Sequence, residues 1–440
     1  MPLLARLYRI FIGLMFVSLG VALAFFVYFN WYYNRLLITN FFVGFSLFIL
    51  LVVLIILALR YAGLMWFAYL QQVEHLEEPP ETYVYPMVTV IVPAYNEGKV
   101  IDSAVEQLMW LDYPRYEVIV VDDGSSDDTY DKALTLSGVY GAHRLRVITQ
   151  PNAGKAMALN NGIANARGEF VVCMDGDSAL ETQTLKQAVK HFSDPTVGAV
   201  AGNVKVANRD NLLTKMQALE YVEGLGMVRT AQAFFRRVNI IPGPMGIFRK
   251  DVLMDIGGYL KDTYAEDCEL TLRILLAGWK IKYESQAVAW TEAPESVEAL
   301  FKQRYRWGRG VLQAIVKHRR QMLRPYPEFL DTATLWLLLF ESIIWPGLNL
   351  FAISFFVFVA VWLGYSNILF FWWTQLTILD VVAALFCVAV EKEDIRLVAY
   401  AILNRVYYIP LVDSIKFLAA LDELFGVQMG WGKLERFGRI

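Results

Sequence analysis

Cysteine and histidine are scarce in this chain of 440 residues, which has three of the first and four of the second. Cys173, Cys268 and Cys387 lie far apart and lack the spacing of a zinc ligand set. Neither a disulfide framework nor a zinc site is supported. The cysteines read instead as small buried apolar residues suited to a reducing cytoplasm, and the scattered histidines support no metal cluster. An excess of charge is also missing. The formal net charge of -3 gives no reason to expect a nucleic-acid partner. No internal repeat, low-complexity tract or regulatory domain is visible. What is abundant is apolar surface: 56% of residues are hydrophobic and the mean hydropathy is +0.40. That exceeds the apolar share of an ordinary soluble domain and points to lipid as part of the solvent.

The apolar residues fall at the two ends of the chain. Tyr8 to Phe29 is apolar apart from Arg9, and Phe41 to Leu59 carries no charge. Each is long enough for a hydrocarbon core of ~30 Å, which takes about 20 helical residues. Arg6 and Arg9 at the start of the first span favour a cytoplasmic N-terminus, so two spans return the chain to the cytoplasm. Ala22-Leu23-Ala24 mimics a signal-peptide cleavage site, but it lies inside the apolar run and a second span follows. The acidic stretch Glu74 to Glu81, ending at Pro79-Pro80, reads as a linker. After Asp331 the lipid-like pattern returns in Leu335 to Tyr365 and Ile368 to Val390. Leu397 to Phe425 is apolar but broken by Arg405, Asp413, Lys416 and Asp422, which fits either a further span or an interfacial helix. The charged Gly432 to Arg436 tail prefers the cytoplasmic face, which places that segment in the interface.

Between these ends the pattern alternates strand and helix. Met87 to Val92, Tyr116 to Val121, Arg144 to Thr149 and Glu169 to Met174 read as strands, with helices at Lys99 to Trp110 and Ala156 to Ala166. This βαβα order predicts an α/β fold with a mostly parallel sheet. Ligands bind such sheets beyond the carboxyl ends of the strands. The polar clusters Tyr95-Asn96-Glu97, Asp122-Asp123 and Asp175-Gly176-Asp177 sit at those ends and converge on one rim.

Each cluster has a chemical and a plain reading. Asp175 and Asp177, two positions apart around Gly176, can approach one hard divalent cation, Mg²⁺ or Mn²⁺, that bridges a diphosphate; a polar β-turn is the alternative. Asp122 and Asp123 can accept hydrogen bonds from a base or ribose, or cap the next helix. Lys155, after Asn152-Ala153-Gly154 and at a helix start, suits a phosphate, or is a solvated loop lysine. Asp267, beside Glu266, can deprotonate an acceptor hydroxyl, or cap the Glu269 to Ala277 helix. Gln303-Arg304-Tyr305-Arg306-Trp307 lies on an amphipathic stretch from Val297 to about Val316. Arg306 can neutralise a leaving diphosphate and Trp307 offers a face to a sugar ring. A basic interfacial helix would also carry these residues.

In their order these motifs resemble the processive family 2 glycosyltransferases: cellulose, hyaluronan, chitin and poly-N-acetylglucosamine synthases. The matching elements are Val92-Pro93-Ala94-Tyr95-Asn96-Glu97, Val121-Asp122-Asp123-Gly124-Ser125, Asn152-Ala153-Gly154-Lys155, Asp175-Gly176-Asp177, Glu266-Asp267 and the Q-x-x-R-W set Gln303, Arg306, Trp307. The resemblance implies a GT-A-type nucleotide-sugar-binding domain inserted between transmembrane helices and facing the cytoplasm of a cell membrane. It implies residues 1–72 as two N-terminal transmembrane helices and 73–86 as a linker. The cytoplasmic domain is then 87–298, interfacial helices with Q-x-x-R-W are 299–330, and transmembrane helices with an interfacial tail are 331–440. The implied chemistry is a single inverting displacement, from an α-linked UDP-sugar to a β-linked polysaccharide. Ala94, Tyr95, Glu97, Asp122, Asp123, Lys155, Asp175 and Gly176 would hold the donor, and Asp175 and Asp177 the Mg²⁺ or Mn²⁺. Asp267, beside Glu266, would be the general base. Gln303, Arg306 and Trp307 would close over diphosphate and acceptor. Ala265 replaces the Thr of the family's T-E-D motif, and the acceptor-side loop falls on Pro242-Gly243-Pro244-Met245-Gly246 with two unusual prolines.

Size and layout look closest to the N-acetylglucosamine polymerases, which implies UDP-N-acetylglucosamine, with UDP-glucose as the alternative and a small membrane subunit as a candidate partner. Other readings are single-sugar transfer to a lipid acceptor, and a degenerate scaffold that binds nucleotide without chemistry. Glu341 and Asp380 interrupt the later apolar runs. Carboxylates there line a polymer path or serve helix–helix hydrogen bonds near the interface.

Overall fold

The computed structural model describes residues 41–77, 85–323 and 328–427, with Gly13, Val17, Ala24 and Tyr28 in the N-terminal stretch. The expected Tyr8 to Phe29 span, the Pro79-Pro80 linker and the Gly432 to Arg436 tail therefore lie outside the described residues.

The middle of the chain forms a nine-stranded sheet in the order β3-β4-β2-β1-β5-β8-β7-β9-β6. Its strands are β1 Val88–Ala94, β2 Tyr116–Asp122, β3 Gly138–Tyr140, β4 His143–Thr149, β5 Phe170–Cys173, β6 Ser178–Leu180, β7 Val197–Val206, β8 Gly246–Arg249 and β9 Lys280–Thr291. The expected parallel core is present as β4-β2-β1-β5. Beyond it the sheet is mixed, because β8 runs antiparallel to both β5 and β7, while β7 and β9 are parallel. Alternation sorts the strand side chains onto two faces. Val88, Val90, Val92, Val118 and Val120 pack on one apolar layer, and Ile91, Ile119 and Val121 on the other. Both faces are covered by helices, which is why these strands read as unbroken apolar runs rather than alternating ones.

Four described helices are long and apolar enough to cross a membrane: Gly44–Glu74, Phe329–Trp362, Ser366–Val390 and Ile395–Leu424. The first continues past the membrane-length stretch, where Phe67 stacks on Phe234 with ring centroids 5.6 Å apart. The Phe329–Trp362 helix starts beside Arg237, which donates to Glu328 at 2.8 Å and also to Asp331. The Ser366–Val390 helix ends on the sheet domain: Asn203 donates to Glu391 at 2.7 Å and Arg209 to Glu393 at 2.6 Å. The last helix therefore begins next to the sheet domain. It also ends there, where Asp422 accepts from Tyr305 at 2.6 Å and Glu423 from Arg309 at 2.7 Å.

Glu341 and Asp380 take the second of their two expected roles, hydrogen bonds between helices. Arg60 donates to Glu341 at 2.9 Å. Arg405 grips Asp380 through Nε and Nη2 at 2.5 and 2.6 Å, and Tyr61 adds a third bond at 3.0 Å. Asn349 donates to Asp413 at 2.6 Å at the next helix crossing. These carboxylates are spent on joining helices, the cheaper solution for a charge out of water.

Candidate functional site

Strand register builds the rim. Ala94 lies opposite Asp122, and Asp122 opposite Thr149, so three strand ends stop in line. Asp122 and Asp123 are both 3% exposed. Asp122 accepts from Thr149 Oγ1 at 2.9 Å and from the Ser125 amide at 3.3 Å. Asp123 accepts from Gln150 Nε2 at 2.7 Å and from the amides of Ala153 and Gly154 at 2.9 and 2.8 Å. It thereby fixes the loop that leads into the Lys155–Asn165 helix. Neither aspartate caps the helix that follows, whose N-cap is Asp128. Of the pair, Asp122 keeps more acceptor capacity for a nucleoside. The Asp123 amide donates to the carbonyl of Ala94 at 2.8 Å. Tyr95 beyond it is 41% exposed, and the Glu97 amide donates to Thr129 Oγ1 at 2.8 Å.

Lys155 ties the Asp175 turn to the Glu266–Asp267 pair. Its Nζ lies 2.5 Å from Asp175 and 3.0 Å from Glu266. Burial alone would lower this ammonium, but Asp175, Glu266 and Asp267 outweigh it and hold it above its usual range. The loop at Gly243 closes over the same atoms. A Cβ there would stand 2.9 Å from Asp175 Oδ2 and 3.2 Å from Lys155 Nζ, so only glycine leaves this space open. Asp177, 9% exposed, completes the turn, and the Ser178 amide donates to the Asp175 carbonyl at 3.2 Å. Two carboxylates around Gly176, where a Cβ would stand 2.8 Å from the Pro93 carbonyl oxygen, make a hard-oxygen donor set that suits Mg²⁺ or Mn²⁺. Among the described residues no group of three His, Cys, Asp or Glu converges.

Glu266 and Asp267 open the Glu266–Leu276 helix. Its N-cap is Ala265, so Asp267 is not the cap; it sits in the first turn and accepts from the adjacent Cys268 amide at 2.8 Å. Burial, then the Glu266 charge, push the Asp267 carboxyl up to about 6. Burial also acts to raise Glu266, yet Lys155, a backbone hydrogen bond and Arg306 hold it below its ordinary value. One carboxylate stays ionised while its neighbour is poised to exchange a proton near neutrality, the separation that acid–base chemistry needs.

The Val297–Lys317 helix brings Q-x-x-R-W to this point. Arg306 donates to the Tyr264 carbonyl at 3.1 Å, just before Glu266 and Asp267. A Cβ at Gly310 would fall 2.4 Å from the Ala265 amide nitrogen, so glycine is what lets this helix press on the base loop. Gln303 is buried and accepts from Arg304 at 3.1 Å. Trp307 has Arg304 over one ring face at 4.3 Å, while Arg304 pairs with Glu220 at 2.6 Å. That face of Trp307 is thus taken by a cation, not open to a sugar. Sequence reading missed Gln313 and Glu423. Gln313 accepts from the Tyr264 amide at 3.0 Å and donates to Glu423 at 3.1 Å, linking the last helix to the base loop. Neither gives a signal in one dimension.

Comparison with known proteins places this arrangement. Residues 86–310 match the family described as "Glycosyltransferase like family 2". A poly-beta-1,6-N-acetyl-D-glucosamine synthase of Staphylococcus epidermidis is 31% identical over 325 residues, covering 70% of this chain and 76% of that protein. The synthase of the same name from Staphylococcus aureus strain COL is 31% identical over 288 residues, covering 64% and 68%. Among solved structures, a mannosyltransferase from Pyrobaculum calidifontis in complex with GDP-Man and Mn²⁺ superposes with a TM-score of 0.58. At 23% identity over 85% of this chain and 98% of that one, it shows a shared fold, the GT-A sheet of nucleotide-sugar enzymes.

Proposed function

Because this chain belongs to the family 2 glycosyltransferases, with polysaccharide synthases among its relatives, we propose that it polymerises UDP-N-acetylglucosamine into a β-linked polysaccharide, processively and with inversion, and passes the product across the membrane. The observation that carries this reading is the single rim on which Asp122, Asp175, Lys155, Glu266 and Asp267 meet, closed by Arg306. The synthase relatives support N-acetylglucosamine as the sugar and a β-1,6 linkage.

In this mechanism Asp122 receives the nucleoside, braced by Asp123 and the 150–154 loop. Asp175 and Asp177 would hold the Mg²⁺ or Mn²⁺, which would supply charge neutralisation for the diphosphate. Asp267 takes the proton from an acceptor hydroxyl. The freed oxygen pair forms a bond to the anomeric carbon from the face opposite the diphosphate, and the carbon–oxygen bond to the diphosphate breaks with its electrons. An α-linked donor becomes a β-linked product. Arg306 and Lys155 offset the charge that leaves, and Glu266 keeps Lys155 in place.

The end of the helix at Leu424 lies on the sheet-domain side in this reading. Two crossings follow the catalytic domain, Phe329–Trp362 and Ser366–Val390, and the Ile395–Leu424 helix lies along the interface, since both its ends touch cytoplasmic residues. The test is nucleotide release by the purified chain with Mg²⁺ or Mn²⁺ across UDP-sugars and GDP-mannose, with product sizing. Metal-dependent turnover of UDP-N-acetylglucosamine into long chains is expected, and EDTA should abolish it. Turnover with another donor only, or a single-sugar lipid as product, would overturn the substrate or the processivity.

A further inference from the structure

Arg304 occupies one of the two unspecified positions of Q-x-x-R-W, yet it touches both ends of the motif. Its Nη1 donates to Gln303 Oε1 at 3.1 Å, and its guanidinium lies over the Trp307 ring at 4.3 Å. Residues three apart on a helix are routine neighbours, and on a surface such a contact would mean little. Arg304 is not on a surface: it is 2% exposed. What holds it comes from far along the chain. Its Nη2 donates to Glu220 Oε2 at 2.6 Å and to the Tyr408 hydroxyl at 3.4 Å, and Tyr408 donates to the same Glu220 oxygen at 2.6 Å. Glu220 ends the Leu212–Glu220 helix, just before the π-helical segment Tyr221–Met227. Tyr408 closes a second such segment, Asn404–Tyr408, within the Ile395–Leu424 helix. Such wide turns are rare and gather at functional sites. Apolar side chains often pack as stably as a buried ion pair, so stability by itself does not account for the charge. With Arg304 over one face, the half-buried Trp307 ring has its plane fixed, and the part left open is presented in one orientation.

We propose that Arg304 is a positioning residue for the acceptor: it sets Gln303 and Trp307 in the arrangement that receives the sugar chain, and Glu220 with Tyr408 holds it there. A planar guanidinium suits this task, since it can lie flat on a ring while its edge is gripped by oxygens. The last helix thereby acts on the acceptor site through Tyr408 without touching the sugar. The inference rests on the polymerase reading above.

The test uses Glu220→Gln and Tyr408→Phe in the full chain, each alone and combined with Trp307→Leu. The acceptor probe is a soluble N-acetylglucosamine oligosaccharide of β linkage, and its Kd is read by titration so that slow variants still report. The Kd should rise roughly 10-fold in Glu220→Gln and roughly 3-fold in Tyr408→Phe, with the donor KM unchanged. In the Trp307→Leu background either change should add less than about 2-fold, because the ring on which the clamp acts is gone. Losses that add in full overturn the proposal, as residues that merely support the fold would act independently of Trp307. An unchanged Kd in both single variants also overturns it. A raised donor KM does so too and assigns the clamp to the diphosphate. Should Glu220→Gln not fold, Tyr408→Phe carries the same comparison. If the unsubstituted protein releases nucleotide but neither binds nor extends the oligosaccharide, the polymerase reading fails, a result separate from any variant outcome.

Discussion

The donor rim and the helix crossings near the membrane both bring charges out of water, and they do so differently. At the rim, Lys155 meets Asp175 through a single ammonium, with 39% and 28% of the two side chains still exposed. At the crossings, Arg405 forks onto Asp380 with 4% and 5% exposed, and Tyr61 adds a further bond. An ammonium is a point charge that rotates freely and trades one anion for another, whereas a guanidinium fork fixes two planes together. On the proposed function the rim pairs give way to a ligand, whereas the crossing pairs last. The carboxylates of the two regions look alike in sequence, and only their partners tell them apart.

The widest gap between the regions should appear in Asp267→Asn. Turnover should fall by roughly 10²- to 10⁴-fold with little change in the thermal midpoint, because a general base is lost and the fold is not touched. Retained turnover, measured as nucleotide release, would break the assignment of the base. Asp380→Ala should do the opposite, costing about 3–5 kcal/mol of stability by stranding Arg405, while a double replacement by leucine recovers most of it. Unfolding midpoints in detergent check both. Equal effects of the single and double variants would show that the fork holds nothing.

The pH dependence sharpens the comparison. Asp267, pushed up to about 6, works as a base only when deprotonated, so kcat/KM should climb as pH rises through about 6 and then level. Its raised value also favours the folded protein most at low pH, and that contribution is lost as pH rises through about 6. Glu266→Gln removes the second-ranked cause after burial, so the limb should move to lower pH. A limb that stays in place would mean that another group titrates. The smallest effect is expected from Gln313→Leu, which cuts the link from Glu423 to the Tyr264 amide. A loss of about 10-fold in kcat with donor KM unchanged is expected, from about 1–2 kcal/mol of lost positioning. No change would assign that link to helix packing alone.

Much of the fold was legible because its signals are local. The β-branched runs at 88–92 and 116–121 became β1 and β2, and the Ala156 to Ala166 helix became Lys155–Asn165. The rim was legible too, because parallel strands end together and polar residues at 95–97, 122–123 and 175–177 mark those ends. The mixed half of the sheet was not. β8 and β9 pair with strands about 45 to 113 residues away, and no local pattern encodes such partners. Pairing also decided Trp307, whose ring reads as a sugar platform in sequence but carries Arg304 in space.

By itself the sequence determined that lipid flanks an α/β domain with an acidic rim and a Q-x-x-R-W helix, since composition, strand length and motif order are properties of short stretches. The tertiary structure alone decided which carboxylate is pushed up toward neutrality and which arginine is spent on a fork. Those outcomes depend on burial and on the charge within a few ångströms, and both are set by residues far apart in the chain.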